Sequence, residues 1–146
     1  MSILKVKLVR EGAQLPKRET PGSAGHDLRA CIEEDLIIPA GEGVRLPTGI
    51  AIEMESAEYV AIIASRSSMA YKYGISMGNG IGVIDSDYRG EFMIALHNHG
   101  SQTRTVSHGD RIAQLVITPV YTPGFEEVAE LSDTQRGTGG FGSTGK

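Results

Sequence analysis

Three clusters of residues in this chain could do chemistry. The first is Arg66-Ser67-Ser68, which puts a guanidinium and two hydroxyls at the start of SSMAYKYG. That segment reads as a short helix with a serine N-cap and Gly74 as its stop. A helix N-terminus with free N–H groups, hydroxyls and an arginine could bind phosphate, although an ordinary capped helix uses the same residues. The second is GNGIGVIDSDYRGE (78–91). Asp85 ends an apolar run and opens a polar turn. An aspartate there commonly forms the turn, but beside a phosphorus centre it could orient and deprotonate a water. Asn79, between glycines, carries the donor and acceptor that a base reader needs. Tyr88 could pack in the same turn. The third cluster is the C-terminal arm. Its bare glycines, Arg136, Ser143 and Thr144 could wrap a phosphate, and Phe141 could stack on a surface.

Two other patterns in that arm carry little. GTGGFG (137–142) matches a dinucleotide-binding fingerprint, and GFGSTGK (140–146) matches the start of a phosphate-binding P-loop. Both patterns need a preceding strand and a following helix, and no helix follows in this sequence. His97 and His99 share a strand face and could pair on a metal, but no third ligand is spaced to join them.

These clusters need a scaffold, and the composition describes one. Glycine makes up 19 of 146 residues, against six prolines, one cysteine and no tryptophan. The glycines and prolines punctuate short Ile- and Val-rich runs at 3–9, 36–39, 44–52, 59–64, 81–84, 92–97 and 111–121, with 126–131 as a further strand candidate. Short strands between frequent turns predict an all-β sandwich or barrel of one domain. From Ser132 onward the apolar pattern stops, and the chain becomes a polar, glycine-rich arm able to reach a neighbouring subunit.

Net charge is −4, which argues against a nucleic-acid-backbone binder but leaves room for a small anion held by a few arginines. The apolar run YVAIIA is far too short to span a membrane, and no secretory leader is visible. The lone Cys31 cannot form an intrachain disulfide, which suits a reducing, cytoplasmic compartment.

AGHDLRA (24–30), SRSSMA (65–70), GVIDSDYRG (82–90), GDRIAQL (109–115) and RGTGGFGSTG (136–145) occur in this order. Together they resemble the five motifs of the trimeric all-β dUTP diphosphatases (dUTPases), over essentially the whole chain. The resemblance implies a jelly-roll-like (β-clip) subunit with one short helix. Residues 1–131 would form the β domain, and 132–146 a flexible arm closing over a site of the trimer. It also implies hydrolysis of dUTP to dUMP and pyrophosphate with Mg²⁺, which keeps uracil out of DNA and supplies a thymidylate precursor.

Site residues follow from the same resemblance. Asp85 matches the general base that activates the water attacking the α-phosphorus. Asn79, with nearby backbone including Gly82, matches the uracil reader. Tyr88 matches the residue that packs under the deoxyribose and leaves no room for a 2′-hydroxyl. Arg66, Ser67 and Gln114 match phosphate contacts, and Ser68 falls at a backbone contact to phosphate. Asp27 resembles an aspartate that contacts Mg²⁺ through bound water. In the arm, Arg136, Gly142, Ser143 and Thr144 match contacts to the terminal phosphate, and Phe141 an aromatic lid over the base.

Ser65, Ser68 and His26 depart from the commonest family pattern, where proline, glycine and an apolar or aromatic residue are frequent. Competing readings are a dCTP deaminase or bifunctional deaminase–diphosphatase, a non-catalytic nucleotide-binding regulator, and a plain jelly-roll interaction module. The partners implied are dUTP and two further copies of the chain, with no nucleic acid and no membrane.

Overall fold

The computed structural model describes residues 4–140. In chain order the elements are β1 (Lys5–Leu8), β2 (His26–Arg29), β3 (Leu36–Ile38), β4 (Gly43–Pro47), β5 (Ile50–Glu53), β6 (Tyr59–Ala64), α1 (Ser67–Tyr73), β7 (Ile75–Met77), β8 (Ile81–Ile84), β9 (Met93–Asn98), β10 (Arg104–Val106) and β11 (Arg111–Pro119). The fold is all-β, as the punctuated sequence predicts, and jelly-roll-like, as the family resemblance implies, with a single short helix among the described residues.

Every strand pairing is antiparallel. One sheet has the order β2-β11-β6-β8 and a second β4-β9-β7, with β1-β5 and β10-β3 as separate two-stranded ribbons. Period-2 alternation builds the core between them. In β9, Ile94, Leu96 and Asn98 face inward, while Met93, Ala95 and His97 face outward. In β11 the alternation breaks, because Ile112 and Ala113 are both buried. A register shift between Arg111 and Ala113 accounts for it: the extra residue of a bulge turns two successive side chains inward. Asn98 is fully buried, and its amide donates to the carbonyls of Ile38 (2.9 Å) and Gln102 (2.8 Å). It thereby ties the β3 and β9 regions together.

The continuous run 44–52 is in fact two strands in different sheets. The chain turns at Thr48-Gly49, where Gly49 adopts φ +72°. A β-carbon there would sit 2.5 Å from Ala13 Cβ and 3.0 Å from the Cys31 sulfur, so only glycine fits. Cys31 is a free, buried thiol, and burial pushes its pKa up.

Two local expectations need correction. The helix at Ser67–Tyr73 forms and ends in left-handed Gly74, but its N-cap is Arg66 in an extended conformation, with no side-chain cap hydrogen bond. The segment 126–131 forms no strand. The Val120 N–H donates to the Glu58 carbonyl, and no described residue after it belongs to a strand. Tyr121, Phe125, Val128 and Leu131 are all exposed, Phe125 completely. A strand needs a partner, and none lies in line for this segment within the described residues. Elsewhere, an apolar groove of about 630 Å³ opens between β1 and the β6–β11 face, lined chiefly by Leu4, Val6, Leu15, Met54, Leu115 and Ile117.

Candidate functional site

The second motif and the first meet at one end of the β2-β11-β6-β8 sheet. Asp27 lies on β2, Gln114 on β11, and Arg66 just beyond β6. Register sets Gln114 opposite both Asp27 and Ala64. Arg66 Nε donates to Asp27 Oδ1 at 2.9 Å, and Arg66 Nη1 reaches the Arg111 carbonyl at 3.4 Å. Arg111 Nη1 donates to Asp27 Oδ2 at 3.1 Å and lies 3.2 Å from Glu19 Oε1. Both oxygens of this buried carboxylate are therefore engaged by arginines, which satisfies its charge.

These contacts hold Arg66 at the wall of a pocket of about 490 Å³ that also includes Ser67, Ser68 and Gln114. Gln114 Nε2 donates to the Ser65 carbonyl at 2.9 Å. Its Oε1 fills the space a side chain at Gly25 would need, 2.5 Å from an ideal β-carbon there. Ser65, in place of the frequent proline, accepts a hydrogen bond from the Met77 N–H at 2.7 Å. The cluster offers cationic and hydroxyl groups to an anion.

The third motif lies along β8, the edge strand paired with β6. Asn79 is exposed in the turn before β8, where Gly80 takes φ +75°. Gly82 is buried, and a β-carbon on it would meet Ile63 Cβ at 3.2 Å, so its contribution to any ligand is backbone. Asp85 is exposed immediately after β8. The Tyr88 N–H donates back to the Asp85 carbonyl at 3.2 Å and closes a turn. The Tyr88 ring lies on Gly90 so tightly that a β-carbon there would stand 2.2 Å from the phenol oxygen. That oxygen donates to the Glu91 carbonyl at 3.2 Å.

The two halves do not meet in one chain. Ala64 pairs with Ile81 and Ala61 with Ile84, so the rows lie ~10 Å apart along the ladder. Arg66 lies beyond the first row and Asp85 beyond the second.

In the arm, Arg136 is exposed and its Nε donates to the Gly139 carbonyl at 2.8 Å. Phe141, Gly142, Ser143 and Thr144 lie outside the described residues. The His97 and His99 rings pack with centroids 4.3 Å apart, and His99 Nε2 lies 2.8 Å from Ser76 Oγ. Among the described residues, no group of three or more His, Cys, Asp or Glu side chains could hold a metal ion. The donor chemistry at Asp27 instead fits a cation carried in on phosphate oxygens: a carboxylate holding two arginines keeps lone pairs for a cation's water. His26 lines the apolar groove, and its buried Nδ1 has no hydrogen-bond partner among the described residues.

Sequence reasoning assigned no role to Arg111, Glu19, Arg10 or Glu91. Arg111, a charge at the head of an apolar strand run, is the visible signal. Glu91 receives Arg10 Nε at 2.6 Å, Arg10 Nη2 at 2.9 Å and the Gly49 N–H at 2.9 Å. The Arg10 hydrogen bonds hold the Glu91 carboxyl below its ordinary pKa against the opposing effect of burial.

Comparison with known proteins adds three findings. The family model for dUTPase matches residues 11–145. A deoxyuridine 5′-triphosphate nucleotidohydrolase of Desulfitobacterium hafniense is 48% identical over 99% of both chains. One from Bordetella pertussis is 47% identical over 98% of this chain and 96% of its own. Among solved structures, a Staphylococcus bacteriophage 80alpha dUTPase with dUpNHpp superposes with TM-score 0.90 over the full length of both chains at 28% identity. A point mutant of the dUTPase from S. aureus phage phi11, whose structure reveals the coordination of a structural Mg(II) ion, gives TM-score 0.82 at 25% identity, over 90% of this chain and all of its own. Among the described residues, no helix is long and apolar enough to cross a membrane.

Proposed function

This chain belongs to the dUTPase family, and we propose that it hydrolyses dUTP to dUMP and pyrophosphate with Mg²⁺, limiting uracil in DNA and supplying dUMP for thymidylate. The observation that carries the reading is one chain offering both an arginine–hydroxyl cradle at Arg66–Ser68 and a solvent-facing carboxylate, Asp85, on a turn closed by Tyr88.

A triphosphate repels an incoming nucleophile, so binding and orientation do most of the work. Arg66, Ser67, Ser68 and Gln114 hold phosphate oxygens. Asn79 and neighbouring backbone read uracil. Tyr88 packs against the deoxyribose and excludes a 2′-hydroxyl. Asp85 takes a proton from a water whose oxygen bonds to the α-phosphorus. The bond from that phosphorus to the bridging oxygen breaks, and pyrophosphate leaves. Bound through the phosphates, with Asp27 holding one of its waters, Mg²⁺ would supply charge neutralisation.

The working form is a homotrimer with shared sites. Two observations support it. Asp85 and Arg66 lie beyond opposite ends of the β6–β8 ladder, so one substrate draws them from different chains. In addition, Phe125, Val128 and Leu131 are exposed apolar residues, and the groove between β1 and β11 offers an apolar surface on which a neighbouring copy could seat them. The arm, residues 132–146, then closes over a site of the assembly, with Arg136, Gly142, Ser143 and Thr144 at the terminal phosphate and Phe141 over the base. The buried free thiol of Cys31 supports a cytoplasmic location.

Incubating the protein and Mg²⁺ with dUTP, dCTP, dTTP and UTP, and identifying products, tests the reading. dUMP and pyrophosphate from dUTP alone are expected. Ammonia from dCTP would indicate a deaminase, and binding without turnover a regulator.

A further inference from the structure

Glu91 lies outside the groups that touch substrate, yet its carboxylate is one of the most fully engaged in the molecule. It accepts a bidentate grip from Arg10 and a third hydrogen bond from the Gly49 N–H. The Gly49 partner is itself fixed. Gly49 sits in a corner where no β-carbon fits, and its carbonyl accepts from the Val9 N–H at 2.8 Å. The adjoining Phe92 is buried, and its carbonyl accepts from both Thr48 N (3.1 Å) and Thr48 Oγ1 (2.8 Å). On the other side, the Glu91 carbonyl receives the Tyr88 hydroxyl, whose ring lies on the bare α-carbon of Gly90.

We infer that Arg10 and Glu91 form a clamp that positions the Tyr88 ring, and through it sets how strongly the site rejects a 2′-hydroxyl. The inference rests on the proposed role of Tyr88. The physical argument is one of leverage. Tyr88 is partly exposed and, among the described residues, its hydroxyl is held by the Glu91 carbonyl, so its place depends on where the Glu91 backbone stands. The Glu91 backbone is anchored in turn by its own side chain, at a corner rigid enough to serve. A displacement of an ångström or less in a positioning group can cost large factors in rate. Selectivity against one hydroxyl depends on such a contact, because the rejecting surface must stay within van der Waals reach.

The test compares kcat/KM for dUTP and UTP in the full-length protein. Wild type, Glu91→Gln, Arg10→Gln, the double variant and Arg10→Lys are measured together, with melting curves. Gly90→Ala, which pushes the ring directly, sets the scale. The expected result is that Glu91→Gln and Arg10→Gln each lower the dUTP-to-UTP preference by roughly tenfold. The double variant should lose no more than either alone, because both break one clamp. Arg10→Lys, which keeps the charge without the fork, should fall between.

A preference within twofold of wild type in folded Glu91→Gln or Arg10→Gln, whatever their melting temperatures, overturns the clamp. Should those variants fail to fold, an unchanged preference in Arg10→Lys overturns it equally. Failure of the wild type to hydrolyse dUTP would instead remove the reading on which the clamp rests, and the two failures are distinct.

Discussion

Asp27 grips Arg66 by its Nε, 2.9 Å away, and not across the end of the guanidinium. The arginine is thereby held in place at the pocket wall beside Ser67 and Ser68, with Nη1 reaching the Arg111 carbonyl. Lysine cannot divide its contacts in this way, having one ammonium where arginine has a planar fork. Arg66→Lys should therefore fold normally, with KM for dUTP raised about tenfold or more by the loss of a charge-assisted hydrogen bond. A KM unchanged in steady-state pyrophosphate release would contradict this use of Arg66.

Asp85 faces solvent after β8, free to meet a water. Removing its basicity while keeping its shape should affect the chemical step alone. Asp85→Asn is expected to lower kcat by about 10²–10⁴-fold with little change in KM. Near-normal single-turnover rates would exclude it as the base.

The two parts of the C-terminal segment should separate by truncation. A chain ending at Gln135 keeps Phe125, Val128 and Leu131 but loses Arg136 and Phe141. It should retain the wild-type mass in light scattering, while kcat/KM falls roughly tenfold or more for want of stacking on the base. A chain ending at Val120 loses the apolar residues as well and should dissociate. Equal masses for the two truncations would refute the groove as their acceptor.

Acid stability should carry the signature of Glu91. Arg10 lowers the folded-state pKa of this carboxyl below its ordinary 4.5. The unfolded chain therefore binds the proton first as pH falls. The contribution is fully present above pH 4.5 and is lost as pH drops through the lower, folded value. Melting temperatures of wild type and Glu91→Gln should differ at neutral pH and converge as pH falls through the lowered, folded-state value. A constant difference across that range would show that the ion pair does not report on acid unfolding.

The sequence made the larger strands and the motif order legible, since β6, β9 and β11 announce themselves as runs rich in Ile, Val and Leu between turn residues. It did not reveal β2, β7 and β10, because HDLR, ISM and RTV are too short and too mixed to carry a period. The run 44–52 gave no warning of its corner beyond Thr48-Gly49, where the packing of Ala13 and Cys31 decides the conformation. EEVAEL looked like a strand because strand propensity is local, whereas strand formation requires a neighbour. The site followed the same division. Asp85, Tyr88 and Arg66 were readable because their motifs are contiguous. Arg111 and Glu91 acquire meaning only through residues 84 and 81 positions away, Asp27 and Arg10.

The wide spacing of Arg66 and Asp85 along one ladder has a genetic consequence. In the proposed trimer, damage to these two residues would fall on different sites, according to which chains the lesions occupy. Two inactive versions of the gene, one carrying Arg66→Ala and the other Asp85→Asn, should complement each other when expressed together. Random mixing would leave about a quarter of the sites with both residues intact. A cell holding both alleles would then recover an activity that neither encodes alone.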